Sequence, residues 1–501
     1  MNDSRAPALD RLRKLDREIH LVQHVIGLLQ WDQETYMPEG AVAERSDQLA
    51  LLEGQVHERQ TSPEMGELIV AGEARSDLDE IDRAFLRELR RTYDRETRLP
   101  TELVTAIARQ ASVNHASWVA ARKASDFSVF RDDLEETLRL TREKADHLGF
   151  RDTRYDPLLD AFEPWMSTAE LTAVLDALRG PLVDLLERIA GSPVTIDDEV
   201  LRRDFDVGAQ RAFSDHLLAA LGFSSHTGRL DVSAHPFSTT LGAADGRLTT
   251  RFHPNLLSAS VFGTIHECGH GLHGLGVAPA LATGALGSGT SLGICESQSR
   301  FWENLIGRRR SFWEYFYPQL QPRFGALADV DLDRFYRSIN AVQPSFIRVE
   351  ADEVTYNLHI LLRFSLERRM VDGDLQVDDL PDAWREESRA LLGVVPERDA
   401  DGVLQDIHWS MFSIGYFPTY TLGNLYSAQF HAAMARDIPD WEAQVRGGRF
   451  GEILGWLRER IHRHGRVYPA AEVCRRVTGE ALDARYFIDY LNTKFGELYR
   501  L

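Results

Sequence analysis

The chain has 501 residues, a formal net charge of −20 and three cysteines, and apolar residues make up 43% of it. That apolar share is enough for a substantial core, while the negative balance argues against nucleic acid or an anionic membrane surface as a partner. Three cysteines in so long a chain make no disulfide framework and fit a reducing, cytoplasmic setting.

The start, Met1-Asn-Asp-Ser-Arg-Ala-Pro7, carries no apolar leader, and no run of about 18 or more apolar residues is present to span a membrane. Length alone allows roughly two or three domains. Yet helical periodicity runs from Asp10 to the C-terminus without a Pro-, Ser- or charge-rich linker, a low-complexity tract or a repeat. We expect one large, mainly α-helical unit over residues 1–501.

The helical rhythm breaks once. Residues Arg229–Leu241 and Arg247–Phe252 alternate like strands, and Asp245-Gly246 is a turn signal, which predicts a short β-hairpin. His235, followed by Pro236, then falls at a strand edge, where an extended peptide can be held as an added strand.

Next comes His266-Glu267-Cys268-Gly269-His270. Upstream, Asn255–Ile265 is compatible with a helix, and Gly274 and Gly276 supply its stop. Histidines four positions apart project from one helical face, where both rings can reach a Zn²⁺ at about 2.0–2.1 Å. The intervening Glu267 points to the open coordination position, where it can take a proton from water acidified toward a pKa of roughly 7. Co²⁺ and Mn²⁺ also suit such a donor set.

A third ligand is needed. His273 lies on the same face but about 10.5 Å along the axis from His266, too far for one ion on a straight helix. Glu296 is the better candidate. It follows a Gly/Ala/Ser-rich connection and sits near the start of a second expected helix, Ser291–Ile306, so a helix–loop–helix can bring it to the metal.

Farther along, Phe346–Ile360 reads as a long helix. There Arg348 and Asp352, as i,i+4 neighbours, either pair with each other or leave Arg348 to grip a carboxylate through its guanidinium fork. Gly402–Trp409 and Gly415–Asn424 crowd Gln405, Asp406, His408, Tyr416 and Tyr420 around glycines, the composition of a pocket wall. Either tyrosine could donate to a developing oxyanion or simply fill core.

These residues resemble a known family, the carboxypeptidase Taq family of zinc metallocarboxypeptidases. The similarity runs through Trp31–Pro38, His235-Pro236-Phe237, Asp245-x-Arg247-x-Thr249 and the His-Glu-x-x-His motif. It continues through Glu296–Ser299, Ile347–Asp352, Gly402–Trp409, Ile461–Gly465 and Thr478–Glu480, nearly the whole chain. The resemblance implies a saddle-like helical zincin fold with a deep central groove, related to angiotensin-converting enzyme and neurolysin. It also implies a homodimer acting on peptides with a free C-terminus.

By matching positions, His266, His270 and Glu296 bind metal and Glu267 is the general base. Arg348 holds the terminal carboxylate, Tyr420 stabilises the transition state, and His235, Asp245, Arg247, Gln405, Asp406, His408 and Tyr416 shape the substrate site. Two positions depart from the pattern: Cys295 stands where His is usual, and His273 where Tyr is common. Cys268 and Cys295 flank metal ligands, so oxidation could perturb the site, but two buried inert thiols are the favoured reading. Two competing readings use the same residues: a zinc oligopeptidase cutting within peptides, and a non-catalytic helical binding protein.

Overall fold

Helix signals are written into the chain at many element ends. Side-chain caps at Ser62, Asp79, Asp206 and Ser291 each accept a bond from a backbone N–H of the first turn, and Ser167 forms a reciprocal capping box with Glu170. The structure, a computed structural model, describes residues 6–501 and is mainly helical with one small sheet. Met1–Arg5, most of the stretch read as lacking a leader, lie outside the described residues. No helix among the described residues is long and apolar enough to cross a membrane.

Two apolar clusters form the core. The smaller joins the N-terminal helix Ala6–Thr35, through Leu9, Leu12, Leu15, Ile19 and Ile26, to Phe85, Leu86 and Leu89 of the helix Glu80–Arg98. The larger contains the helix Leu257–Gly274, here called the motif helix, through Val261, Phe262, Ile265, Cys268 and Leu272. A buried aromatic group of Trp302, Phe312, Trp313 and Phe316 belongs to the same cluster.

The sheet has the order β1 (Gly228–Val232), β3 (Gly246–Thr250), β2 (Ser238–Thr240). β2 and β3 are the expected hairpin, with Thr239 opposite Arg247, but its turn is Leu241–Asp245 with Gly242 at φ 109°, and Gly246 already lies in the strand. β1 is a third strand, parallel to β3 with Leu230 opposite Leu248. The reversal between β1 and β2 is organised by the buried Thr249. Its hydroxyl accepts from Ser233 Oγ at 2.7 Å and from the Phe237 N–H at 2.9 Å. Leu248 packs against Gly271, where an added Cβ would stand 2.7 Å from its side chain, so the sheet lies directly on the motif helix.

Two expected helices are corrected. Ser291–Ile306 is an α-helix over Leu292–Arg300, with Ser291 as its cap, followed by a π-helical segment Phe301–Ile306. Phe346–Ile360 is not one helix: Arg348–Glu350 form a 3₁₀ turn, and the helix runs Thr355–Asp372. Asp352 is the reason. Its carboxylate accepts from the N–H groups of Val354 and Thr355 at 2.9 and 3.0 Å and from Thr355 Oγ1 at 2.8 Å, so it caps the helix instead of pairing with Arg348.

The motif helix and the Leu292–Arg300 helix meet at Gly269. A Cβ there would lie 2.5 Å from the Gln298 carbonyl oxygen and 2.7 Å from Ser299 Cα, so the obstruction is backbone. The Gly269→Ala variant is therefore expected to lose about 1–3 kcal/mol in thermal or denaturant unfolding. Gly54→Ala, where no atom lies within 4 Å of the added carbon in the helix Val42–Gln60, should instead gain about 0.5–1 kcal/mol.

Candidate metal centre

His266 and His270 sit one turn apart on the motif helix with ring centroids 4.9 Å apart. Glu296 comes in from the neighbouring helix: its Oε2 is 3.7 Å from His266 Nε2 and 3.4 Å from His270 Nε2. Donor atoms of these three residues all lie within 4.8 Å of one another. Tetrahedral ligands at 2.0–2.1 Å from one ion stand about 3.3 Å from each other, so the group fits a divalent metal.

The two oxygens of Glu296 have separate duties. Oε1 accepts from Arg300 Nε at 2.7 Å, which leaves Oε2 facing both histidines. Burial alone would raise this carboxyl, but Arg300 and the histidines outweigh it and hold it far below the usual range. Glu303, on the π-helical segment, accepts from His266 Nδ1 at 2.9 Å, which fixes the ring with Nε2 toward Glu296. Arg300 and Arg308 also bond to Glu303 and compensate its buried charge.

Glu267 is only 6% exposed. Burial pushes its carboxyl up against the opposing pull of His266 and His270, and the Ser238 hydroxyl of β2 reaches it.

A second group of residues surrounds Arg348, itself 5% exposed. Its Nε and Nη2 donate to Asp406 Oδ1 at 3.0 and 2.8 Å, and its Nη1 donates to Tyr356 Oη at 3.0 Å. Gln405 Oε1 accepts the Arg348 N–H at 2.9 Å while its amide donates to the Phe346 and Asp401 carbonyls. Asp406 Oδ2 also accepts from Arg363 Nε at 2.7 Å and has Arg363 Nη2 in ion-pair contact at 2.6 Å, so two guanidinium groups share one carboxylate.

Tyr420 places its ring 5.0 Å from the Arg348 guanidinium and 5.3 Å from the Tyr416 ring. His408 Nε2 is 3.3 Å from Tyr420 Oη. Burial, with help from Arg348 and Arg363, lowers the imidazole to about 4, so His408 is neutral near pH 7. Tyr356 joins the two groups: the Arg300 guanidinium lies 4.7 Å from its ring centroid while its hydroxyl bonds to Arg348.

Of the residues singled out in the sequence, His266, His270, Glu267, Glu296, Arg348, Gln405, Asp406, His408, Tyr416 and Tyr420 form these two linked groups. Three others lie apart. His235 is exposed in the β1–β2 connection. Asp245 and Arg247 bond to each other at 2.5 and 3.0 Å, and Arg247 lies 4.6 Å from the Trp31 ring centroid, which ties the sheet to the N-terminal helix.

The two departures from the family pattern share one location. A Cβ on Gly289 would stand 2.2 Å from Cys295 Sγ and 2.7 Å from His273 Cε1, so sulfur and imidazole line the same small space. Burial pushes the Cys295 thiol up to about 12, and the fully buried Cys268 is pushed up as well. Neither thiol offers a thiolate for ready oxidation.

Glu303, Arg300, Tyr356, Arg363, Ser238 and Gly269 escaped the sequence reading. Glu303 carried a usable signal, since it follows Glu296 by seven residues, two turns along one face.

A His₂Glu donor set with a buried carboxyl between the histidines, set in a helical fold beside a small sheet, defines a metallopeptidase. The chain belongs to the carboxypeptidase Taq (M32) metallopeptidase family, whose sequence pattern matches residues 11–495. It is 41% identical to thermostable carboxypeptidase 1 of Thermus thermophilus over 98% of this chain and 99% of that one. It is 36% identical to carboxypeptidase 1 of Bacillus subtilis over 97% of each. The crystal structure of the M32 carboxypeptidase from Deinococcus radiodurans R1 superposes with a TM-score of 0.96 at 37% identity, covering 99% of this chain and 100% of that one.

The bond from His266 to Glu303 generates a prediction. Glu303→Ala should weaken metal binding by about 10- to 100-fold, measured by competition with a chromogenic chelator.

Proposed function

We propose that the chain removes residues one at a time from the C-terminus of peptides, as a zinc carboxypeptidase of broad specificity working as a single unit over residues 1–501. His266, His270 and Glu296 would hold the ion. Zn²⁺ is the choice their donor set favours, with Co²⁺ and Mn²⁺ as alternatives. Bound there, a divalent cation polarises the scissile carbonyl and acidifies water. Glu267 takes the water's proton and passes it to the leaving amine. Its burial and raised affinity for a proton suit both halves of that exchange.

The observation that carries the choice of a carboxypeptidase is Arg348. A guanidinium has five N–H donors, and three of those on Arg348 are bound to Asp406 and Tyr356. The two left over, one on each terminal nitrogen, form a fork for a substrate α-carboxylate. Tyr420, beside that fork, donates to the developing oxyanion. Gln405, Asp406 and His408 keep Arg348 and Tyr420 in place, and Tyr416 adds to the wall. His235, Asp245 and Arg247 would act from the sheet side on a longer peptide.

The three cysteines, none in a disulfide, support a cytoplasmic setting, and the family resemblance supports a homodimer, which sedimentation would test.

Glu267→Gln should keep its zinc and lose about 10²- to 10⁴-fold in turnover. Near-wild-type activity in the zinc-loaded variant would remove Glu267 from the mechanism. A short peptide offered as free acid and as C-terminal amide tests Arg348: only the acid should be shortened, and a chelator should stop it. Arg348→Lys should lower kcat/KM on the acid by about 10- to 100-fold, the worth of one charged hydrogen bond. Internal cleavage of both peptides would establish an oligopeptidase instead.

A further inference from the structure

A sizeable cavity lies away from the metal centre. It is an open cleft of about 1230 Å³ between the helix Glu80–Arg98 and the segment from Leu148 to Glu170. Eight arginines line it, against six carboxylates, in a chain whose net charge is −20. The helix supplies six of them because it is strongly two-faced. Phe85, Leu86 and Leu89 go to the core, and Arg83, Arg87, Arg90, Arg91, Arg95 and Arg98 go to the cleft.

The arginines are not neutralised one for one. Arg91 and Arg95 share the single carboxylate of Asp160 at 2.8 and 2.9 Å. Arg91 Nε is buried without a hydrogen-bond partner. Burial and the nearby Arg91 hold the Arg95 guanidinium below its ordinary value. Arg83 and Arg98 bond to the Leu78 and Leu148 carbonyls, and neither has a carboxylate partner among the described ion pairs.

At the rim Trp165 is 51% exposed and held at φ 73°, its N–H fixed by Asp160 Oδ1 at 2.9 Å. A large non-glycine residue kept in the left-handed region, with its ring in solvent, is a strained feature that points to use. Phe150, 44% exposed, lines the same cleft.

We propose that this cleft binds an acidic peptide segment, with Arg83, Arg91, Arg95 and Arg98 taking spaced carboxylates and Trp165 taking an aromatic side chain. Arginine forks suit carboxylates, and exposed aromatic rings suit a flanking side chain. The interleaved acids Asp94, Asp156 and Glu170 disfavour a dense polyphosphate; Asp156 and Glu170 already accept backbone N–H groups of Thr153, Thr168 and Ser167, which leaves Asp94 placed to accept from an extended peptide backbone. The site is separate from the metal centre. The stretch Leu158–Glu163 stands between them, with Phe162 against Tyr416 at 5.1 Å on the far side.

The test is calorimetric titration of the zinc-loaded full chain with a short peptide of glutamate and phenylalanine, acetylated and amidated so that it offers no terminal carboxylate. A lysine-for-glutamate peptide and tripolyphosphate serve as comparison ligands. The acidic peptide should bind, weaken as salt is raised, and weaken about tenfold in the double variant Arg83→Glu/Arg98→Glu. That variant should hydrolyse a free-acid peptide as the parent does, which also reports that it is folded. Trp165→Ala, which changes no charge, should weaken binding severalfold by itself. Absent binding, equal binding of the lysine peptide, or indifference to both variants would overturn the proposal. Tighter binding of tripolyphosphate with the same sensitivity to Arg83 and Arg98 would replace the peptide by a phosphate ligand.

Discussion

Everything at the metal centre depends on how the Glu296 carboxylate is divided. One oxygen is taken by Arg300 and the other faces two histidines from a different helix. That division requires the two helices to touch backbone to backbone, which Gly269 permits. It also requires the helix Pro418–Asp437 to lie against the other side of Glu296. A Cβ on Gly423 would stand 2.4 Å from Glu296 Cγ. The side chain of Glu296 therefore packs tightly on Gly423, from a helix that Gly269 lets close on the motif helix, and is aimed by a salt bridge. Burying Glu296 and Glu303 together would be prohibitive without Arg300 and Arg308, and breaking one partner would leave an unpaired buried charge.

The same economy governs the Arg348 group. Arg348 and Arg363 are both nearly inaccessible and share Asp406, so the pair carries one net positive charge. That surplus is what an incoming carboxylate would neutralise. The backbone of Arg348 is held by Gln405 and its side chain by Asp406 and Tyr356, so little side-chain freedom remains to be lost on binding. Tyr356, stacked under Arg300 and bonded to Arg348, makes the spacing between metal ligands and Arg348 a property of rigid packing.

The zinc motif, its helix, the approach of Glu296 and the helical character of the chain were legible because each rests on local spacing. What was not legible rests on competition or on distance. Asp352 looked like the i,i+4 partner of Arg348, yet it caps the next helix, and a short carboxylate serves either role until tertiary contacts decide. β1 alternates as a strand should, but alternation cannot say that it pairs parallel to β3 by way of Thr249 and Ser233. The π-helical segment carrying Glu303 left no mark in hydrophobic periodicity, because all six of its residues are buried. Asp245 and Arg247 show the reverse: the motif was visible, and its contacts turn toward Trp31.

The segment from Asp160 to Met166 joins these themes. Glu163, fully buried, accepts the Gly293 N–H at 3.0 Å at the start of the Glu296 helix, and the Phe162 carbonyl accepts from Leu292 at 2.9 Å. Asp160, two residues before Phe162, holds Arg91, Arg95 and the Trp165 N–H. The floor of the arginine cleft is thus anchored from the catalytic side. A ligand arriving there meets guanidinium groups and an indole whose positions are already set, so its binding need not order the protein. The strain at Trp165 is sustained by the same anchoring, since Asp160 on one side and Glu163 on the other leave the backbone between them little room to relax.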